Sequence, residues 1–449
     1  MYHKCISRWL APAASLMCAS LASGAGYTIL EQSVSGLGYA FASGSASSED
    51  ASAIFYNPAS MGFMDKSQYL ADVHYLILNT RFHNTGSTTV STGSATSGGD
   101  SDGGFQTPVP SMYYVQPLSS SITVGFSINA PFGLGTEYDD GWVGRYTALT
   151  SKITTYDVSP SIAWKINDKL SIGVGIDIYY VSANLTNAID FNKDGTTLYD
   201  GKIDMNADDQ AIGGHAGIIY QVRPSTRIGF AYRSQVSVNL IGDADFTIPE
   251  DYLTYLNYLV SLGYISSSNI SYVKSTFSDQ GVGATLKLPA SASLSVVQGI
   301  NDKLDLMADI TWTDWSCFYQ LDLGFENATT ESVAGKPVIE NWQDTFRYSV
   351  GANYKLNDKF KLRFGLCYDE TAIRSAEYRS PRIPDSSRFW ISTGLGWQMS
   401  ANSHLDFAYV HIFVSDSDVN NSLHTSNQVL VGTINSSMDI ISMAYSYSF

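Results

Sequence analysis

Residues 171–180, SIGVGIDIYY, decide the fold. Ile172, Val174, Ile176, Ile178 and Tyr180 fall on one face of an extended chain, and Ser171, Gly173, Gly175 and Asp177 on the other, because side chains in a strand point alternately to opposite sides. Residues 227–240 repeat the pattern, with Ile228, Phe230, Tyr232, Val236 and Val238 opposing Arg227, Arg233, Gln235, Ser237 and Asn239. Arginines turned into the core of a soluble sandwich would be buried at high cost. Inside a barrel they face a wet or plugged lumen while the apolar set faces lipid.

Composition agrees with a membrane barrel. Charged residues are 15% of the 449, low for a soluble chain of this length, and tyrosine is abundant at 29. Mean hydropathy is −0.05 and no second long apolar run follows the first. A helical membrane protein would show such runs. A β-barrel would not, because lipid-facing and lumen-facing residues average out. The first apolar run, Trp9 to Leu21, follows Lys4 and Arg8 and ends in small residues. It is a secretory signal over residues 1–24, cleaved after Gly24 or Ala25, and too short to span a bilayer. Met17 before Cys18 argues against a lipoprotein. The formal charge of −16, more negative once Lys4 and Arg8 leave, excludes nucleic acid as a partner. Cys317 and Cys367 remain after processing; the strand assignment puts them two strands apart, so free thiols are expected.

From residue 67 one unit repeats: alternating segment, short polar turn, alternating segment, long loop. Asn-Asp-Lys occurs three times as the short connector, at 167–169, 301–303 and 357–359. Short turns on one rim and long loops on the other are the asymmetry of outer-membrane barrels. Strands are expected near 67–83, 108–118, 121–131, 150–166, 169–185, 209–222, 226–241, 279–299, 302–325, 342–356, 359–370, 388–400, 403–414 and 438–449, about fourteen. The predicted fold is an all-β transmembrane antiparallel barrel spanning residues 67–449. The last register, Ile441, Met443, Tyr445, Tyr447 and Phe449, ends on an aromatic suited to recognition by the outer-membrane assembly machinery.

Residues 25–66 belong to neither pattern. They are rich in Gly, Ser and Ala, contain Ser35-Gly36-Leu37-Gly38 and close on Asn57-Pro58-Ala59, without strand alternation or a long helical stripe. Small residues suit a compact segment packed inside something larger, so a lumenal plug, or hatch, is expected. Among the loops, Thr247 and Pro249 open a helix in which Tyr252, Leu253, Leu256, Leu259 and Val260 recur at helical spacing, ending at Gly263. That helix either offers an apolar landing groove or packs down over the barrel mouth.

No catalytic residue, cofactor or metal is expected. His74, His215, His404 and His411 fall on strands and His83 and His424 at loops, none in a nucleophile motif. The acidic pairs Asp139/Asp140, Asp208/Asp209 and Asp416/Asp418 have the composition of solvated loop charges, with calcium as the alternative.

With these segments placed, the chain resembles the FadL family of outer-membrane transporters for long-chain fatty acids and other hydrophobic compounds, over residues 25–449. Ala25-Gly26-Tyr27, Ser35-Gly36-Leu37-Gly38 and Asn57-Pro58-Ala59 look like the family's hatch. Gly141-Trp142-x-Gly144-Arg145-Tyr146, Trp312-Thr313-Asp314-Trp315-Ser316, Trp342-Gln343-Asp344-Thr345-Phe346-Arg347-Tyr348 and Ile383-Pro384-Asp385-x-x-Arg388-Phe389-Trp390 follow in order. The resemblance implies a monomer in the outer membrane of a Gram-negative bacterium, taking up a hydrophobic ligand passively and releasing it sideways into outer-membrane lipids. It places Asn57, Pro58 and Ala59 against a wall opening, Asn129-Ala130-Pro131-Phe132-Gly133 at the third-strand kink that makes the opening, and Tyr27 in the ligand pocket. Pro131 removes a ladder donor and Gly133 tolerates unusual backbone angles, so the position can break pairing. The chain departs from fatty-acid transporters at the head group: Gln343 replaces a lysine, and Asn184 and Asn187 stand where a base is expected. Arg347 is the candidate cation, but its first reading is a structural arginine of the lumen. Long-chain fatty acid is the default substrate, neutral aromatic or aliphatic hydrocarbons the rival; a diffusion porin and a lipid hydrolase are the alternatives of another class.

Overall fold

The computed structural model describes residues 26–335, 337–422 and 428–449; the expected signal at 1–24, and His424, lie outside the described residues. Fourteen spanning strands follow one another as antiparallel neighbours. They are β1 Gln68–Asn84, β2 Phe105–Pro117, β3 Ile122–Asn129 and Gly133–Glu137, β4 Thr150–Asn167, β5 Leu170–Asp190, β6 Asp200–Arg223, and β7 Thr226–Arg233 and Val236–Thr247. The second half comprises β8 Gln280–Leu288 and Ser291–Asn301, β9 Leu304–Thr313, β10 Thr345–Lys355, β11 Phe360–Asp369, β12 Arg388–Gln398, β13 Ser403–Val414 and β14 Val431–Ser448. β1 pairs with β14 from Gln68↔Ser448 to Asn84↔Gly432, which closes the sheet into a barrel.

Alternation sorts the side chains as expected. Ile172, Val174, Ile176, Ile178 and Tyr180 are exposed on the outside, whereas Ser171 and Asp177 are fully buried inside. The Asn-Asp-Lys turns hold because each asparagine Oδ1 accepts two backbone N–H groups: Asn167 from Lys169 and Leu170, Asn301 from Lys303 and Leu304, Asn357 from Lys359 and Phe360, all at 2.8–3.1 Å.

Three expectations need correction. Val236 and Val238 do not share a face with Ile228, Phe230 and Tyr232: the interruption at Ser234-Gln235 shifts the phase by one, so the valines are buried inside and Gln235, Ser237 and Asn239 face out. β8 is likewise interrupted at Pro289-Ala290, because proline supplies no ladder donor. Strand ends on the long-loop side also differ from those expected. β6 begins at Asp200 and β14 at Val431, while β9 stops at Thr313 before a single turn, Trp315–Cys317. Beyond the bilayer the outward positions need not be apolar, so pairing continues where the alternating pattern stops.

Residues 26–64 fill the lumen as short helical turns: α1 Val34–Gly38, α2 Ala53–Tyr56 and the 3₁₀ turns Gly44–Ala46 and Pro58–Phe63. Ser33 caps α1 and Asn57 caps Pro58–Phe63, with proline at its first position. Lumen-facing glycines of the wall seat this segment. A Cβ at Gly173 on β5 would collide with the backbone of Pro58 and Ala59, and one at Gly229 on β7 with that of Ser45. A partly buried ion pair ties the same segment to the far wall. Glu49 accepts from Lys361 Nζ and Arg363 Nη2, both at 2.6 Å, and Arg363 also bonds Asp406 at 2.6 Å. Burial alone would push the Glu49 carboxyl up, but Arg363 and Lys361 hold it well below the usual range.

The double variant Gly173→Val/Gly229→Val is expected to unseat the segment and give a steady aqueous conductance in planar bilayers. Gly324→Ala, whose Cβ would meet its nearest neighbour only at 3.9 Å, should stay closed. A double variant that assembles and remains non-conducting would show that the glycine seats do not hold the plug.

Candidate functional site

β3 breaks at Ala130-Pro131-Phe132, and the wall changes its pairing there. Residues 112–117 of β2 pair with residues 123–128 of β3, whereas residues 105–111 of β2 pair with β1, and residues 133–137 of β3 with β4. Between these two upper halves no ladder forms among the described residues. Pro108 and Pro110 lie in the unpaired stretch of β2. The intact ladder to β1 must use the donors of residues 107, 109 and 111, so the missing proline N–H groups point at the break, where no partner waits.

The N-terminal segment takes the place of the missing strand. Thr28 and Phe132 form an antiparallel bridge, with Ile29 N–H donating to Pro131 O and Gly133 N–H to Tyr27 O, each at 2.8 Å. The Gln32 side chain completes the substitution. Its Nε2 donates to Ala130 O at 2.9 Å, and its Oε1 accepts from Asn129 Nδ2 at 3.1 Å, Ser111 Oγ at 3.0 Å and Ala130 N–H at 3.3 Å. Tyr113 Oη donates to Gln32 O and accepts from Asn129 Nδ2. From β4, Thr155 Oγ1 accepts from Phe132 N–H and donates to Phe132 O. The backbone of the break is thereby satisfied without a neighbouring strand.

Two cavities meet at this point. The upper one holds about 770 Å³ of unfilled space, mouth included. Its lining is almost wholly apolar: Tyr27, Leu134, Ile153, Leu185, Met205, Leu240, Val282, Leu286, Phe318 and Ile383, with Glu340 and Arg382 the charged members. The lower one, of similar size, is bounded by Thr28, Ile29, Leu30, Phe55, Tyr56, Pro131, Phe132, His215, Arg233 and Arg347. Tyr27 and Phe132, ring centroids 6.3 Å apart, stand between them, and Phe132 continues to Tyr179 at 6.3 Å. Tyr27 is fully buried, its ring edge-on to Trp315 at 4.7 Å and its hydroxyl donating to Lys287 O. Gly26 passes between Trp315 and Trp342 at φ +62°, and a Cβ there would come within 2.6 Å of both rings. Only glycine fits that position.

The charged lining is unbalanced. Burial pushes the Glu340 carboxyl up to about 8, against the pull of Trp342 Nε1 at 3.2 Å and of Arg382. Burial also draws the Arg382 guanidinium down to about 10, still cationic at neutral pH. Arg382 bonds neutral groups: Ser151 Oγ at 3.1 Å, Asn187 Oδ1 at 3.0 Å and Thr150 O at 3.5 Å.

The remaining expected site residues are distributed as follows. Asn57, Pro58 and Ala59 do not sit at the strand-3 break; Asn57 Nδ2 reaches Ser45 O, Ile218 O and Phe230 O at 2.6–3.3 Å, and Pro58 and Ala59 lie on Gly173. Glycines on β5 and β6 make room for them there, and residues 27–32 occupy the break instead. Arg347 is absent from the lining of the upper cavity; it is paired with Asp309 at 3.2 Å and bonded to Thr311, facing the lower one. The expected loop helix exists as α3, Glu250–Ser261, followed by α4, Ser267–Thr276. Of its apolar set Leu256 is buried and Tyr252, Leu253, Leu259 and Val260 half-buried, with Tyr252 against Phe191 at 5.0 Å. That face packs down on the loop aromatics and forms no open groove. Among the described residues no group of acidic, His or Cys side chains could hold a metal, and Cys317 and Cys367 are free thiols. Sequence reasoning missed Gln32, Tyr113 and Arg382. The Pro-Val-Pro run at 108–110 was a readable sign of the open edge.

Residues 15–449 match a family described as outer membrane protein transport protein (OMPP1/FadL/TodX). A putative outer membrane protein of Neisseria meningitidis is 29% identical over 94% of each chain. A long-chain fatty acid transport protein of Salmonella typhi is 26% identical over 86% of this chain and 87% of its own. The crystal structure of a Pseudomonas aeruginosa FadL homologue superposes with a TM-score of 0.84 at 26% identity, over 95% of this chain and all of that one.

Two outcomes test the geometry. Gln32→Ala strips the break of its side-chain partners, at about 1–3 kcal/mol for each buried group left unpaired; hydrogen exchange at residues 27–32 and 130–133 should accelerate while the rest of the barrel is unchanged. Glu340 carries a raised pKa in the folded state, so it binds more protons there than when unfolded, and its contribution to stability falls as pH rises from about 4.5 to about 8. Glu340→Gln should flatten that part of the melting-temperature profile; parallel profiles would contradict the assignment.

Proposed function

Since the chain belongs to the outer membrane protein transport protein (OMPP1/FadL/TodX) family, we propose that it carries hydrophobic molecules, long-chain fatty acids first among them, passively across the outer membrane and releases them through the wall beside β3. The observation that carries this reading is that one segment, residues 27–32, both closes the upper cavity and supplies the hydrogen bonds that the break in β3 lacks. Withdrawing it joins the two cavities and uncovers the unpaired edges of β2 and β3 together.

Sideways release suits the cargo. An acyl chain forfeits about 0.8 kcal/mol per CH₂ if it must leave an apolar cavity for water. A gap in the wall lets it pass from cavity to bilayer without that step. The relative of Salmonella typhi, named a long-chain fatty acid transport protein, supports the acyl chain as cargo. A diffusion porin would need an open bore, and here the N-terminal segment fills the lumen.

A reversible lock tests the route. Thr28 and Phe132 are bridge partners, and antiparallel partners lie about 4.5–5.5 Å apart at Cα, within disulfide range. Thr28→Cys/Phe132→Cys, with Cys317 and Cys367 replaced by serine, should take up labelled oleate into vesicles when reduced and lose at least about nine-tenths of that rate when oxidised. Equal rates in both states would sink the route.

A further inference from the structure

We propose that Arg382 is the anchor for an anionic head group in the upper cavity, and that the cavity therefore selects single-tailed carboxylates over neutral molecules with the same tail. This rests on the transport reading above and names the feature of the cargo that is recognised.

Arginine has five N–H donors, and Arg382 uses those of Nη1 on Ser151 and Thr150 and one of Nη2 on Asn187. The Nε hydrogen and the second Nη2 hydrogen have no partner among the described residues. Nε and Nη2 share one edge of the guanidinium, the edge that can receive both oxygens of a carboxylate. No carboxylate of the described residues lies within 4 Å of it, unlike Arg145, Arg233, Arg347, Arg363 and Arg388, which are all paired. Glu340 attracts the guanidinium without bonding it, and a ligand that brings a carboxylate into bonding distance offsets the cost of holding a cation among apolar side chains.

Position agrees with charge. Arg382 and Ile383 lie on the loop entering β12 and line a cavity whose other walls are aliphatic or aromatic. A carboxylate on Arg382 would leave its tail among those walls, directed toward Tyr27 and the break beyond it. Asn187, placed by the last turn of β5, acts as a positioning residue, since its Oδ1 holds Nη2 at 3.0 Å and fixes the fork. Glu340 shares the cavity without bonding the guanidinium.

Oleate and oleyl alcohol, identical in tail and differing in charge, are the probes, measured by binding to the purified barrel and by uptake into vesicles. The wild type should prefer oleate. Arg382→Gln should weaken oleate about tenfold to a hundredfold, the span of a charge-assisted pair, and leave oleyl alcohol within about twofold. Asn187→Ala should weaken oleate alone, by a smaller factor, and Arg382→Lys, which keeps the charge but not the fork, should fall between. Equal binding of the two probes by the wild type, or an Arg382→Gln protein that loses both or neither, overturns the assignment. Should Arg382→Gln fail to assemble, the wild-type preference and Arg382→Lys still decide. The two readings fail separately: an oxidised Thr28→Cys/Phe132→Cys lock that does not slow uptake removes the route and leaves Arg382 standing, whereas normal gating with unchanged oleate affinity in Arg382→Gln removes Arg382 alone.

Discussion

A backbone N–H or C=O turned toward hydrocarbon must find its partner within the protein, because lipid offers none. Thirteen of the fourteen neighbouring strand pairs meet that demand through ladders that include the lipid-spanning part of the wall, and the seam from β14 to β1 is among them. Between the upper halves of β2 and β3 the demand is met differently. Pro108 and Pro110 remove donors, Gln32 and residues 27–29 bond the backbone of the break, and Thr155 bonds Phe132 from behind. The plug is thus a structural part of the wall, and its leading end cannot move without leaving polar groups unpaired.

The rest of the plug is held by shape and charge. Gly173 and Gly229 give its backbone close seats on β5 and β7, Asn57 bonds carbonyls of β6 and β7, and Glu49 pairs with Lys361 and Arg363 across the lumen. Residues 27–32 lack a comparable anchor: they rest on a few hydrogen bonds and on the packing of Tyr27 against Trp315 and Phe318. The more firmly held part of the plug therefore begins near α1, and the segment before it is the part that the proposed route would displace.

How much of this could be read from the residues follows the same physics. The barrel was legible because lipid enforces alternation over each spanning stretch, as at residues 171–180, and the Asn-Asp-Lys turns mark one rim. The break in β3 was legible because Pro131 and Gly133 interrupt that alternation locally. The phase shift at Ser234-Gln235 was not, since Val236 and Val238 continue the even register in sequence while the backbone reverses their face. Gln32 and Arg382 were invisible for another reason: each acts through partners 79–98 and 195–232 residues away along the chain, and no local spacing encodes such meetings. Arg347, read first as a structural arginine of the lumen and second as the head-group cation, is held by Asp309, 38 residues earlier.

Magnitudes make cargo-driven opening reasonable. The leading segment gives up its bonds to Pro131, Gly133 and Ala130 when it withdraws, and a typical intramolecular hydrogen bond contributes about 0.5–1.5 kcal/mol net. With those of Gln32 to Asn129, Ser111 and Tyr113 and that of Tyr27 to Lys287 there are eight, about 4–12 kcal/mol before the packing of Tyr27 is counted. An acyl chain gains about 0.8 kcal/mol for each CH₂ it buries, so about five to fifteen methylenes match that sum. Cargo shifts the balance only through contacts it makes better in the open state than in the closed one. Tyr27 meets that condition because its ring lines the upper cavity while its backbone carbonyl accepts from Gly133 N–H in the break. On the proposed route, a chain long enough to need the space of the ring would favour the state in which the ring has left, and the same departure would open the wall. Shorter molecules that fit beside Tyr27 would gain nothing from its departure, so tail length as well as head-group charge would separate what is bound from what is carried.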